Sequence, residues 1–223
     1  MAVFSYFQRW ERIRSARAPF PPGAFPLVLA LFISLSIAHA AKAQSGNQLD
    51  FANGLFHRGF YKEAIAEYEG YLSNAPEGED AATAWLRLGR SAVAIEDYAR
   101  ALEAFRKAEA ATTDAGRRVE ARVSAGEALF FSGKYPETIE TLKDLSGMAT
   151  PEEPRARVLY YLGRSFIETG AYAEAVSSFS SLIADAPETP LAGFAQYHLG
   201  FAHLAGNALE EAAKAFSAAA KAP

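Results

Sequence analysis

The chain has 223 residues, half of them hydrophobic, with 22 Lys and Arg against 26 Asp and Glu and a formal charge of −4. That length suffices for one sizeable core. No cysteine occurs, which excludes disulfides, thiolate metal sites, a cysteine nucleophile and a lipid carried on an N-terminal cysteine.

The N-terminal stretch differs from the rest. Residues 1–43 hold five bases (Arg9, Arg12, Arg14, Arg17, Lys42) and one acid (Glu11), so the remainder carries 17 bases and 25 acids, a balance of −8. An acidic body without a basic stripe argues against nucleic acid as a partner. Phe25 to Ala41 is apolar, centred on Leu27 to Ile37, and short for a bilayer span, which needs about 20 such residues. Two A-x-A patterns follow, Ala38-His39-Ala40 and Ala41-Lys42-Ala43. A basic start, an apolar centre and small residues at its end form the pattern of a secretory signal peptide, 1–43, with cleavage expected after Ala43. The alternative is an uncleaved membrane anchor, since the basic region is long. Either form implies a bacterial cell envelope, periplasmic or outer.

From Gln44 onward one pattern repeats. The best copy, Ala82 to Ala108, reads ATAWLRLGRSAVAIEDYARALEAFRKA. Trp85, Leu88 and Gly89 share one helical face, and Tyr98, Ala101, Phe105 and Ala108 share another. The short break at Ile95-Glu96-Asp97 requires an antiparallel helix hairpin. The small residue of the first helix falls at Ala52, Gly89, Gly126, Gly163 and Gly200, a constant step of 37. A small residue in the second helix falls at Ala64, Ala101, Thr138, Ala175 and Ala212, and a large one at Tyr68, Phe105, Leu142, Phe179 and Phe216. Tyr61, Tyr98, Tyr135 and Tyr172 open the second helices, with Leu209 in the fifth copy. Small residues let paired helices approach and bulky ones fill the space between neighbours. Arg58-Gly59, Ser132-Gly133, Thr169-Gly170 and Gly206-Asn207 supply the turns. One hairpin cannot bury its own apolar face, so five must stack.

The copies span about 44–78, 79–115, 116–152, 153–189 and 190–223. The first is weak, with Gln48 where Trp85 sits. The third diverges most, with Arg122, Thr138 and Leu142 at motif positions. Thr150-Pro151 and Thr189-Pro190 read as N-cap and first helical residue of the fourth and fifth copies. After the fifth copy Phe216, Ala212 and Ala219 are expected to present an apolar face, to be covered by further chain, a partner or a second copy.

The pairing of W-x2-L-G with Y-x2-A-x3-F-x2-A resembles the tetratricopeptide repeat. The resemblance implies an all-α, right-handed solenoid of about five helix-turn-helix repeats. The common unit has about 34 residues. Here the extra three precede each first helix, as in APETPLAGFAQYHLG (Ala186–Gly200), which resembles the longer repeats of bacterial envelope proteins such as the Tol-Pal coordinator and the BAM-complex lipoprotein. Two departures limit that likeness: no coiled coil fits before Asn47, and the lipidated cysteine is missing.

In such arrays the first helices line a concave groove for a protein segment. Carried onto this chain, that geometry puts Asn53, Phe56 and His57, Arg90 and Val93, Glu127, Phe130 and Phe131, Tyr160, Arg164 and Ile167, and Tyr197, Phe201 and Leu204 in the groove. Aromatics and arginine dominate interface energies, which suits an extended or helical partner segment. Phe130, Phe131 and Phe201 could equally pack against the next repeat. The carboxylate clamp of chaperone-binding repeats is not expected, because only Asn53 matches it and Glu127 takes an equivalent place. No catalytic, cofactor or metal site is expected. His198 and His203 are five apart, off a shared helix face, and His203 takes the repeat position of Leu55, Leu129 and Phe166. No phosphate loop or nucleophile motif occurs. The reading is a non-enzymatic interaction scaffold. Its alternatives are the docking part of a longer protein and a membrane-anchored adaptor.

Overall fold

A computed structural model describes residues 47–74, 77–147 and 152–221. The leader, Thr150 and Pro151 therefore lie outside the described residues. Gln48–Pro223 forms one compact unit. Its described residues hold ten α-helices and no strand: α1 (47–57), α2 (Tyr61–Ser73), α3 (Glu79–Ala94), α4 (Tyr98–Ala111), α5 (Ala115–Phe131), α6 (Tyr135–Leu142), α7 (Glu152–Glu168), α8 (Tyr172–Asp185), α9 (Pro190–Ala205) and α10 (Leu209–Ala219). Odd and even helices pair as hairpins, and each even helix also packs on the following odd one, giving the expected solenoid of five repeats.

Each hairpin turn is built the same way. The amides of Phe60, Asp97, Lys134, Ala171 and Ala208 reach back five residues, to the carbonyls of Leu55, Ala92, Leu129, Phe166 and His203. The residue before each of these donates to the carbonyl three residues back, which completes a Schellman C-cap. That geometry requires a left-handed residue, supplied by Gly59, Gly133 and Gly170 at φ 75–78° and by Asn207 at 62°. The second copy breaks the rule: Glu96 stands there at φ 63° and carries the Cβ strain that glycine avoids. The acids Asp97 and Asp114 cap α4 and α5, accepting from the amides of Arg100 (3.2 Å) and Arg117 (2.7 Å). Thr189 is the N-cap of α9 and Pro190 its first residue, as the sequence implies. The Thr189 hydroxyl makes no cap, however, because it donates to the Ala186 carbonyl (2.9 Å) and closes the preceding loop.

The small–large pairs are in contact. A Cβ placed on Gly89, Gly126, Gly163 or Gly200 would come within 2.5–2.6 Å of Phe105, Leu142, Phe179 or Phe216 respectively. Glycine at these four positions thus sets the helix separation within each hairpin. Tyr68, Phe105, Leu142 and Phe179 are fully buried, as are Ala64, Ala101, Thr138 and Ala175. The fifth copy corrects one expectation. Ala212 is buried and Phe216 half-buried, because the Phe216 ring meets Tyr197 (5.8 Å) and Phe201 (5.4 Å) of α9.

The third copy explains its divergence. Helix α6 stops after eight residues and continues as a 3-10 turn, Lys143–Leu145. Leu142 and Leu145, at the positions of Phe179 and Leu182 one repeat later, are buried in one cluster with Val123, Val158 and Leu162. Arg122, at the position of Trp85, donates to the Thr141 carbonyl (3.2 Å) and satisfies the end of the short helix. Among the described residues no helix is long and apolar enough to cross a membrane.

Candidate functional site

The residues expected in the groove lie on α1, α3, α5, α7 and α9, mostly one, four or five positions after the small residue of each first helix. The structure divides them into three groups.

Charge dominates the middle of the array. Arg90 of α3 pairs with Glu120 of α5 at 2.5 Å. Glu120 also accepts from Arg157 of α7 (2.9 and 3.1 Å), whose guanidinium holds Glu127 of α5 through Nε (2.6 Å) and Nη2 (2.8 Å). The result is a ladder across three repeats, with a bidentate Arg–Glu rung at its centre. The side chains of Glu120, Glu127 and Arg157 keep at most a fifth of their exposure, whereas Arg90 keeps 48%. Burial pushes the Glu120 carboxyl up, but the charges of Arg157 and Arg90 outweigh it and hold the group below the usual carboxylate range. Burial works equally against the Arg157 cation, and Glu127 and Glu120 outweigh it too. Glu127 is therefore committed to Arg157 and does not stand open to a partner.

Aromatic rings continue the line. Phe130 and Tyr160 are buried, which corrects their assignment to an open groove. The cause is the stacking of repeats: Phe130 meets Tyr135 (5.5 Å) and Tyr161 (5.3 Å), and Tyr160 meets Phe179 and His198. The Arg164 guanidinium lies 4.9 Å from the centre of the Phe130 ring and donates to the Tyr160 phenol (3.2 Å), tying α5 to α7. Phe131 is 49% exposed, stacked on Tyr98 (6.3 Å) and edge-on to Tyr161 (5.9 Å). Tyr197, Phe201 and Leu204 are exposed, joined by the Tyr197–Phe201 contact at 4.9 Å.

The N-terminal members are local. Asn53 accepts from its own repeat's Tyr68 phenol (2.9 Å), and burial pushes that phenol up to about 12. Phe56 is half-buried beside Tyr61 and His57, and His57 is exposed. Val93 and Ile167 are half-buried against the core clusters of their own regions.

Sequence reasoning missed Glu120, Arg157, Tyr161 and His198. A signal for the first two existed. Arg157 follows Glu120 by one repeat, and opposite charges stand 30 residues apart at Arg90/Glu120 and Glu127/Arg157. His198 is packed, not ligating: Phe179 stacks on it at 5.9 Å, and burial, helped by the charge of Arg164, pushes it down to about 4. His203 is half-buried. Among the described residues no cluster of His, Asp and Glu could hold a metal.

The arrangement therefore offers a row of half-exposed rings and one half-exposed arginine on a rigid helical frame. That is contact chemistry. No curated protein matches the chain in sequence. Solved structures match its fold. MamA (residues 41 to the end) from Desulfovibrio magneticus RS-1 is 18% identical at a TM-score of 0.68, over 79% of this chain and 93% of that one. YrrB, described as a TPR protein with an unusual peptide-binding site, is 23% identical at 0.61, over 77% and 82%. A putative kinesin light chain with nearly identical TPR-like repeats, from Podosopora anserina, is 19% identical at 0.63, over 79% and 92%. The tetratricopeptide repeat model matches residues 49–116, 123–190 and 162–223, most of the chain. With its 37-residue register, its glycine–phenylalanine pairs and this match, the chain belongs to the tetratricopeptide repeat family.

Proposed function

We propose that this protein is a non-enzymatic scaffold of the bacterial cell envelope that holds a segment of another protein along its first helices. The observation that carries the reading is the exposure of Phe131, Tyr197, Phe201 and Leu204, with Phe194 beside them, on two first helices of the array. Exposed rings on a frame that is already ordered bind at low entropic cost. The peptide-binding site named for YrrB supports the choice of a peptide or protein partner. The envelope location rests on the signal pattern of residues 1–43 and on the likeness to envelope repeats. An uncleaved leader makes the protein a membrane-anchored adaptor. The array also associates with itself, through the fifth repeat.

Two experiments test this. Fractionation of cells with N-terminal sequencing of the recovered protein places it in the envelope, starting at Gln44 or retaining its leader; recovery from the cytosol contradicts the location. Pull-down from envelope extract with a Phe131→Ala/Arg90→Ala variant of unchanged helicity tests the surface. Loss of one bound protein supports the first-helix face, and equal retention of every bound protein moves the interface elsewhere.

A further inference from the structure

Helix α9 is unlike the other described helices: it contains no Asp, Glu, Lys or Arg. Helices apolar on all sides belong in interiors. Yet Phe194, Tyr197, Phe201 and Leu204 are 41–59% exposed, and their 3, 4, 3 spacing makes one stripe. The same register positions in α5 and α7 are covered by the first helix of the following repeat. Arg157 lies on Glu120 and Glu127, and His198 lies on Tyr160. Helix α9 thus keeps the surface on which a first helix docks, with its charges replaced by apolar groups.

The opposite end carries the matching half. Phe51 of α1 is 59% exposed. One repeat on, the same position is Leu88, 1% exposed within the cluster formed by the first hairpin; three repeats on it is Leu162, 3% exposed against the third. Gly54 is exposed as well, with open space around a Cβ. Its equivalents Ser91 and Ser165 are fully buried where hairpins meet. Asp50 takes the place of Arg87, Tyr161 and His198. The last two meet the first helix of the preceding repeat, at Phe130 and Tyr160, so Asp50 is the α1 residue whose register faces such a helix. Helix α1 therefore presents, outward, the large and small residues used at interior junctions.

We propose that the protein associates with itself head to tail, the outer face of α1 of one copy seating on the exposed stripe of α9 of the next. This rests on self-association through the fifth repeat and names the surface that meets it. The stripe shares Tyr197, Phe201 and Leu204 with the partner-binding face, and the test uses the purified chain alone so that the two readings fail separately. The contact is heterologous, so it leaves one live face at each end and grows with concentration.

The test uses sedimentation of the full chain across a roughly hundredfold concentration range. Two variants each disable one face at exposed positions: Phe51→Asp/Gly54→Glu for α1, and Phe194→Asp/Leu204→Asp for α9. Replacing Gly54 inside a helix favours folding, so a loss of assembly in that variant is not a loss of helix. Circular dichroism checks the other. The expected result is a wild-type mass that rises with concentration, two variants that stay monomeric at tenfold higher concentration, and an equimolar mixture that forms a dimer and stops. A wild type that stays monomeric overturns self-association altogether. A wild type that assembles while the α1 variant assembles equally well, or while the mixture stays monomeric, overturns the head-to-tail arrangement alone.

Discussion

The helices α5 and α9 occupy the same place in their repeats and solve it with opposite chemistry. Helix α5 meets its neighbours through Glu120 and Glu127, both held by Arg157. Helix α9 offers Phe194 and Phe201 at those two positions, with nothing charged nearby on the helix. Ion pairs fix register between repeats at small net gain, because desolvation offsets most of the Coulomb attraction. Apolar stripes give affinity with little register. The middle of the array is therefore built for alignment, whereas its fifth repeat leaves an apolar stripe exposed.

The largest expected effect separates the core of the fourth repeat from that of the fifth. Phe179→Ala removes a fully buried ring and should cost about 3 to 5 kcal/mol, while Phe216→Ala, half-buried, should cost roughly half as much. Denaturant unfolding of the two variants reads the difference directly. Next comes the ladder. Arg157→Ala leaves Glu120 and Glu127 partly buried without their partner and should cost about 2 to 4 kcal/mol, reduced from the fully buried case by the remaining solvent contact. Adding Glu120→Gln and Glu127→Gln should restore much of it, and a triple variant as unstable as Arg157→Ala would show that the ladder carries no coupling.

Acid should weaken both regions by different groups. His198 titrates near 4 when folded and near 6.5 when unfolded. Between those values the unfolded chain binds a proton that the folded chain refuses, so stability is complete above pH 6.5 and falls as pH drops toward 4. Allowing for solvent screening, the loss is about 1 to 2 kcal/mol. Glu120, whose folded carboxyl is held low, adds its own loss at more acidic pH as it protonates. A His198→Phe variant should flatten the slope between pH 6.5 and 4 and leave the acid limb in place. The smallest effect is a gain: Glu96→Gly relieves a left-handed residue and should stabilise by about 1 kcal/mol, against a loss for the reverse change at Gly133. Thermal melts suffice to see it.

Much of this was legible because five copies repeat one instruction. The turn residues, the glycine–aromatic pairs and the Thr189-Pro190 start each recur, so single exceptions do not hide them. The exceptions were harder. At the early end of α6 Arg122 serves the Thr141 carbonyl, a role that no periodicity announces. Phe130 and Phe131 are neighbours in sequence, yet a step of about 100° around the helix buries one and exposes the other. Which side faces the next repeat depends on how hairpins rotate against each other, and that is tertiary information. Charged residues misled in the same manner: Glu127 looks like a groove contact until Arg157 is seen to hold it.

The claim that the first-helix face is the working surface is tested most directly by site-specific photocrosslinking in intact cells. A photoreactive phenylalanine replaces Phe131 of α5 in one strain and Glu103 of α4 in another, both solvent-exposed. The account predicts a discrete protein adduct from position 131 and none of that size from position 103. An adduct from position 103 alone would contradict it and place the partner on the second helices.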